Sequence, residues 1–203
     1  MHYIGTLKNE ILLGAIGLAS TTINIFGGVL MTGMNMGMGS MIGRAHGANS
    51  TILKQNYLNK GLVCFAILYI FLVILMSHSE EIFLALGQIP EVCYYCEYYI
   101  MGILPGIFFQ LAFDFLRNVL NSQEIYNEPM IIMLVGIFVQ TLLCKLMIYL
   151  YEFDGVIASV NMSSFFMLCL LVVVIIVKHP EQYRDILGKT ILFFERRRGF
   201  ESN

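Results

Sequence analysis

Five apolar runs, each about as long as a bilayer is thick, constrain this chain more than any other feature. A hydrocarbon core of about 30 Å takes roughly 20 apolar residues of helix to cross. Such stretches run from about Ile11 to Gly43, Leu58 to Met76, Tyr98 to Leu120, Met130 to Tyr151 and Val156 to Val177. Of the whole chain, 58% is hydrophobic and 13% charged, against about 45–50% and 25% in soluble domains. The sequence therefore predicts an all-α integral membrane protein with five transmembrane helices. The net charge of −2 offers no basic face to nucleic acid.

The first run is longer than one crossing needs, and far longer than the roughly 7–15 apolar residues of a signal peptide. It is expected to tilt or bend, with Gly27-Gly28 the natural place to flex. Its second half is crowded with methionine and with Gly33, Gly37, Gly39, Gly43 and Gly47. In lipid, small residues let neighbouring helices approach closely. Three cysteines lie inside apolar runs, and Cys93 and Cys96 form a C-x-x-C that no second pair or histidine completes. No metal site is expected.

Four connections join the spans: Ala45–Tyr57, Ser77–Glu97, Asn121–Pro129 and a tight acidic turn at Glu152–Gly155. The second contains an amphipathic piece, EEIFLALG, suited to the membrane interface. Residues 1–178 form the membrane bundle, and 179–203 a basic tail in which ERRR at Glu195–Arg198 is expected to belong to a short surface helix. Arg44, Lys54, Lys60, Arg117, Lys178 and the five basic residues of the tail fall on one side. The positive-inside rule makes that side, and the C-terminus, cytoplasmic. Five spans then leave the N-terminus outside, and a preceding helix is expected to be missing.

Within the spans, Lys145 admits two readings. It either snorkels along its stem to the interface, or faces a water-filled cavity, as intramembrane charges that mark pathways do. Asp114 stands one turn before Arg117, the spacing of an ion pair, with a transport role as the other reading. Asn24, Asn35, Gln110, Gln140, Thr141 and Asn161 are uncharged polar residues, the kind that more often join helices than bind ligands. Pro105-Gly106 is expected to kink the third span. No nucleophile–base set or phosphate loop stands out, so an enzyme is not expected.

Several motifs resemble those of the multidrug and toxic compound extrusion (MATE) family, over roughly Ile4 to Val177. They are IGTLKNEILLGAIGLA, Ile23-Asn24 followed by Gly27, GRAHGAN at Gly43–Asn49, LGQIPEV at Leu86–Val92, ILPGIFFQLAFDFLRNVLNSQ, and Gly155–Ala158. The resemblance implies helices two to six of one six-helix lobe, out of two that rock around a central cavity, and would make the tail at 179–203 the linker between lobes. It implies an antiporter that exports xenobiotic or organic cation compounds in exchange for protons or sodium, with no other cofactor. Asn24, in its matched I-N-x-x-G context, becomes the leading substrate contact. Thr141 and Lys145 fall near asparagines common in the family's fifth helix and are the other candidates, with Asp114 and Arg117 a coupling pair or a structural one. Arg44 replaces the usual glutamine, and a charged Lys145 facing the cavity would disfavour a cation. The implied partners are a small organic substrate, the bilayer and a complementary transporter half. A non-transporting interaction protein derived from such a half is the alternative. The plasma membrane and a vacuolar-type membrane are both compatible with the sequence.

Overall fold

A computed structural model of the chain describes residues 10–178, the side chains of Glu10 and Glu152 excepted. The tail at 179–203 lies outside the described residues. The elements are α1 (Glu10–Ile23), a π-helical turn (Asn24–Val29), α2 (Leu30–Gly47), α3 (Thr51–Met76), α4 (Ser79–Ala85), α5 (Pro90–Asn121) and α6 (Asn127–Lys178). Five segments within them are long and apolar enough to span a membrane.

α1, the π turn and α2 form one rod whose spanning segment is 37 residues long, or about 55 Å at 1.5 Å per residue. Gly27-Gly28, where a bend is expected, lie inside the π turn. Not all the glycines beyond it pack. Gly39 lies against the Asn118 side chain and Gly43 against the Ser122 carbonyl, whereas Gly33, Gly37 and Gly47 face open space.

The connections are shorter than the sequence implies. Ser50 caps α3 by accepting from Leu53 N–H at 3.4 Å, so Thr51–Tyr57 is helix and not loop. Asn49, just before it, takes a left-handed conformation (φ 49). Pro90 opens α5, its missing N–H costing nothing in the first turn, and Glu91–Glu97 are therefore helical too. The EEIFLALG piece is the short helix α4, whose Glu80 N–H donates to Glu97 Oε2 at 3.2 Å.

α6 shows the largest difference from a simple reading of local structure. Its helical conformation runs unbroken through the expected turn, yet the chain reverses there. Met167 packs on Gly136, although 31 residues of straight helix would part them by about 46 Å. Lys178 Nζ meets Glu128 Oε1 at 3.6 Å, at the other end of the same pair of arms. The expected acidic turn is thus a reversal made without leaving helical geometry. Phe153, at its apex, packs among Tyr95, Tyr98 and Tyr99, and Tyr98 donates its hydroxyl to Asp154 Oδ1 at 3.1 Å. Tyrosines gathered at one end of a bundle are the usual mark of a membrane interface.

α5 is the hub. It touches α1, α2, α3, α4 and both arms of α6, and it is the most buried of the spans. Ile100, Ile103, Leu111, Phe115 and Val119 bury one side against Ile16, Ile42, Leu58 and Leu72. Phe113 and Leu120 bury the other against Ile132, Met167, Leu171 and Ile175. One consequence is that α5 can carry irregular backbone at mid-membrane, where unpaired groups are tolerated only inside protein.

Candidate functional site

That irregular backbone lies at Pro105. Proline removes the N–H that Met101 C=O would receive, and its ring loosens the neighbouring rungs. Asn161, on the second arm of α6, takes over one of those neighbouring rungs. Gly106 N–H donates to Asn161 Oδ1 at 2.8 Å, and Asn161 Nδ2 donates to Gly102 C=O at 2.9 Å. One side-chain amide thus bridges the two halves of a backbone rung. Both glycines are needed for this approach. A Cβ on Gly102 would lie 2.8 Å from Ile157, and one on Gly106 would lie 3.0 Å from the Asn161 Cα.

Beside this bridge opens a cleft of about 310 Å³, lined by Ser20, Ile23, Asn24, Ile103, Gly106, Ile107, Gln110, Gln140, Val160 and Ser164. Small-ligand pockets begin near 300 Å³ and combine apolar walls with a few polar groups. Here the polar groups come from four directions: Ser20 and Asn24 from the first rod, Gln110 from α5, Gln140 from the first arm of α6 and Ser164 from the second. Asn24 is the first residue of the π turn, and such turns occur often at functional sites. Every polar lining side chain is uncharged at neutral pH, so the cleft offers hydrogen bonds from both donors and acceptors, with no fixed charge.

Of the residues singled out by sequence, Asn24 lines this cleft. Thr141 and Lys145 are not among its walls; Thr141 is exposed and donates to Ile137 C=O at 2.7 Å. Lys145 is exposed on the same arm. Asp114 and Arg117 form an ion pair at 3.1 Å, and Arg117 also reaches Met133 Sδ at 3.0 Å. Gln110 and Gln140 read in the sequence as helix–helix contacts, but the structure places them on the cleft. Ser20 and Ser164 carried no sequence signal, since a serine in an apolar helix is common. Among the described residues no group of three or more His, Cys, Asp or Glu is placed to hold a metal.

Four of the five spanning helices line one polar cleft between them, and comparison with known proteins gives the family. The MatE family model matches residues 1–146, and the chain belongs to that family, whose members are transporters and not enzymes. Protein DETOXIFICATION 9 of Arabidopsis thaliana is 24% identical over 158 residues, covering 77% of this chain and 33% of the relative. DETOXIFICATION 38 of the same plant is 27% identical over 141 residues, covering 68% and 28%. The crystal structure of the eukaryotic MATE transporter AtDTX14 matches with TM-score 0.81 at 16% identity, over 95% of this chain and 44% of its own. An inward-facing multidrug resistance MATE family transporter matches with TM-score 0.74 at 21% identity, over 83% and 39%. The chain spans about a third of the length of these curated relatives. The expected lobe architecture is therefore present, and the protein is an integral, multi-pass membrane protein.

Proposed function

We propose that this chain is the substrate-holding part of a secondary antiporter that exports small organic compounds, organic cations or other xenobiotics, in exchange for protons or sodium. The observation that carries the reading is the convergence of Ser20, Asn24, Gln110, Gln140 and Ser164, from four spans, on one cleft. Alternating access explains how such a cleft serves export: ion binding in one state favours release of substrate from the other. Transport then requires a complementary half to close the cleft, with the basic end and the C-terminus in the cytoplasm.

The test is a chimera in which this chain replaces the matching third of DETOXIFICATION 9, expressed in efflux-deficient cells loaded with a fluorescent organic cation. Asn24→Ala is expected to slow export at least threefold and to weaken dye binding to the purified protein, with folding unchanged. Equal export and equal affinity in Asn24→Ala would remove the cleft from the mechanism. The orientation is checked separately: protease added outside intact cells is expected to leave the ERRR segment uncut.

A further inference from the structure

The two halves of the first rod bury faces that do not belong to one regular helix. Ala15, Ile16 and Ala19 bury one face of α1, and Met31, Ile42 and Ala45 one face of α2. Successive residues of a regular helix stand roughly 100° apart, so residues that share a face lie near a whole number of turns from each other. These do not. Ala19 and Met31 are twelve residues apart, which sets them roughly 120° out of line. Ile16 and Ile42, like Ala19 and Ala45, are twenty-six residues apart, which sets them roughly 80° out of line. With one residue taken from each interval, all three pairs fall within about 20°. The outer face agrees. Leu13 and Met36 are both exposed, yet they stand roughly 140° out of line as numbered and roughly 40° with one residue fewer.

The π turn at Asn24–Val29 stands between the two faces. Its hydrogen bonds close five residues on instead of four, so it holds one residue more than the α-helical turn it replaces. The excess lies on the outer side: Ile25, Phe26 and Val29 are exposed. Gly27 is buried, where a Cβ would lie 3.4 Å from Leu72 of α3. If every residue were kept in a regular helix with α2 seated on α3 and α5, α1 would turn by roughly 100°. Ala15, Ile16 and Ala19 would then leave the core, and Ser20 and Asn24 would swing off the cleft they line.

We propose that the π turn stores one surplus residue, that this residue sets the rotational phase of α1, and that the phase presents Ser20 and Asn24 to the cleft. Phase is a matter of packing alone. Its consequence for a ligand rests on the cleft being the substrate site. The surplus residue is therefore a positioning element: removing it from within the turn leaves both faces where they are, whereas adding another breaks their alignment.

The experiment uses the full chain in phosphatidylcholine nanodiscs, its own cysteines replaced by alanine. Nitroxides are placed singly through Leu13→Cys or Ile16→Cys on α1, and Met36→Cys or Ile42→Cys on α2, and read by their accessibility to dissolved oxygen. In the parent, each exposed site is expected to be at least threefold more accessible than its buried partner. Deletion of Gly28, and separately of Ile25, is expected to keep both contrasts, because the turn then becomes regular helix. Insertion of one alanine after Gly28 is expected to abolish at least one of them. If neither deletion keeps both contrasts, whether through rotation or through failure to fold, the proposal is overturned. An insertion that keeps both contrasts overturns it too. The ligand arm uses the chimera with DETOXIFICATION 9 and the fluorescent organic cation. The deletions are expected to bind the dye within about twofold of the parent chimera, and the insertion at least fivefold more weakly. Deletions that keep both contrasts but lose a dye that the parent binds overturn the role of phase at the cleft. Kept contrasts with no dye bound by any variant, parent included, count against the cleft as the substrate site and support the stored residue.

Discussion

Gly155→Ala is expected to stop the last two spans from closing on each other. A Cβ at position 155 falls well inside van der Waals contact with the Met147 carbonyl and lies 2.8 Å from Ile148 N. Both obstacles are backbone, so no side-chain rotation relieves them. Overpacking in a core costs about 1–3 kcal/mol when side chains can give way; here the cost is expected at about 3 kcal/mol or more, because the reversal itself must widen. The readout is cross-linking between cysteines placed at Glu128 and Lys178, which lie opposite each other at the open end of the hairpin. A short bismaleimide is expected to join them in the parent protein and to lose most of its yield with Gly155→Ala, alongside a lower unfolding midpoint in detergent. Gly14→Ala is the control. Nothing lies within 4 Å of a Cβ there, so it is expected to be neutral or slightly stabilising through helix propensity. If Gly155→Ala cross-links and unfolds like the parent, the tight reversal is not what brings the two arms together.

This reversal also shows where sequence reading succeeds and where it stops. The acid-and-glycine composition of Glu152–Gly155 marks a turn, because the fourth and fifth apolar runs need one between them. It does not show that the backbone stays helical throughout, since that depends on how closely Gly155 can approach Met147. The five spans were legible because burial in lipid imposes a length. Their ends were less so: Thr51–Tyr57 and Glu91–Glu97 are polar helix, and polarity alone resembles loop. Asn24 was reachable through its motif. Gln110 and Gln140 were not, because a polar residue in a span looks the same whether it joins two helices or lines a cleft between them. The dominance of α5 was hidden for a related reason. Its composition barely differs from that of its neighbours, and only packing reveals which helix the others share.

The bridge made by Asn161 is the feature furthest from sequence, since nothing in the chain pairs residue 161 with residues 55 and 59 positions earlier. It also supports the second large prediction. Asn161→Leu removes the acceptor for Gly106 N–H and the donor for Gly102 C=O at once. Both groups sit beside a proline inside the bundle, and Gly106 is buried there. An unsatisfied buried polar group costs about 1–3 kcal/mol, so the variant is expected to lose about 2–4 kcal/mol of stability. Because Gly106 also forms part of the cleft wall, ligand affinity is expected to fall with stability, whereas Asn24→Ala should lower affinity alone. Asn161→Asp separates the hydrogen bonds from the volume of the side chain. A protonated carboxyl can still accept from Gly106 N–H and donate to Gly102 C=O, but an ionised one turns two acceptors toward each other. Asn161→Asp is expected to fall toward Asn161→Leu in alkaline buffer and to recover toward the parent in acid, measured as the unfolding midpoint in detergent relative to the parent at each pH. A pH-independent Asn161→Asp, or an Asn161→Leu as stable as the parent, would show that the rung beside Pro105 does not depend on this amide.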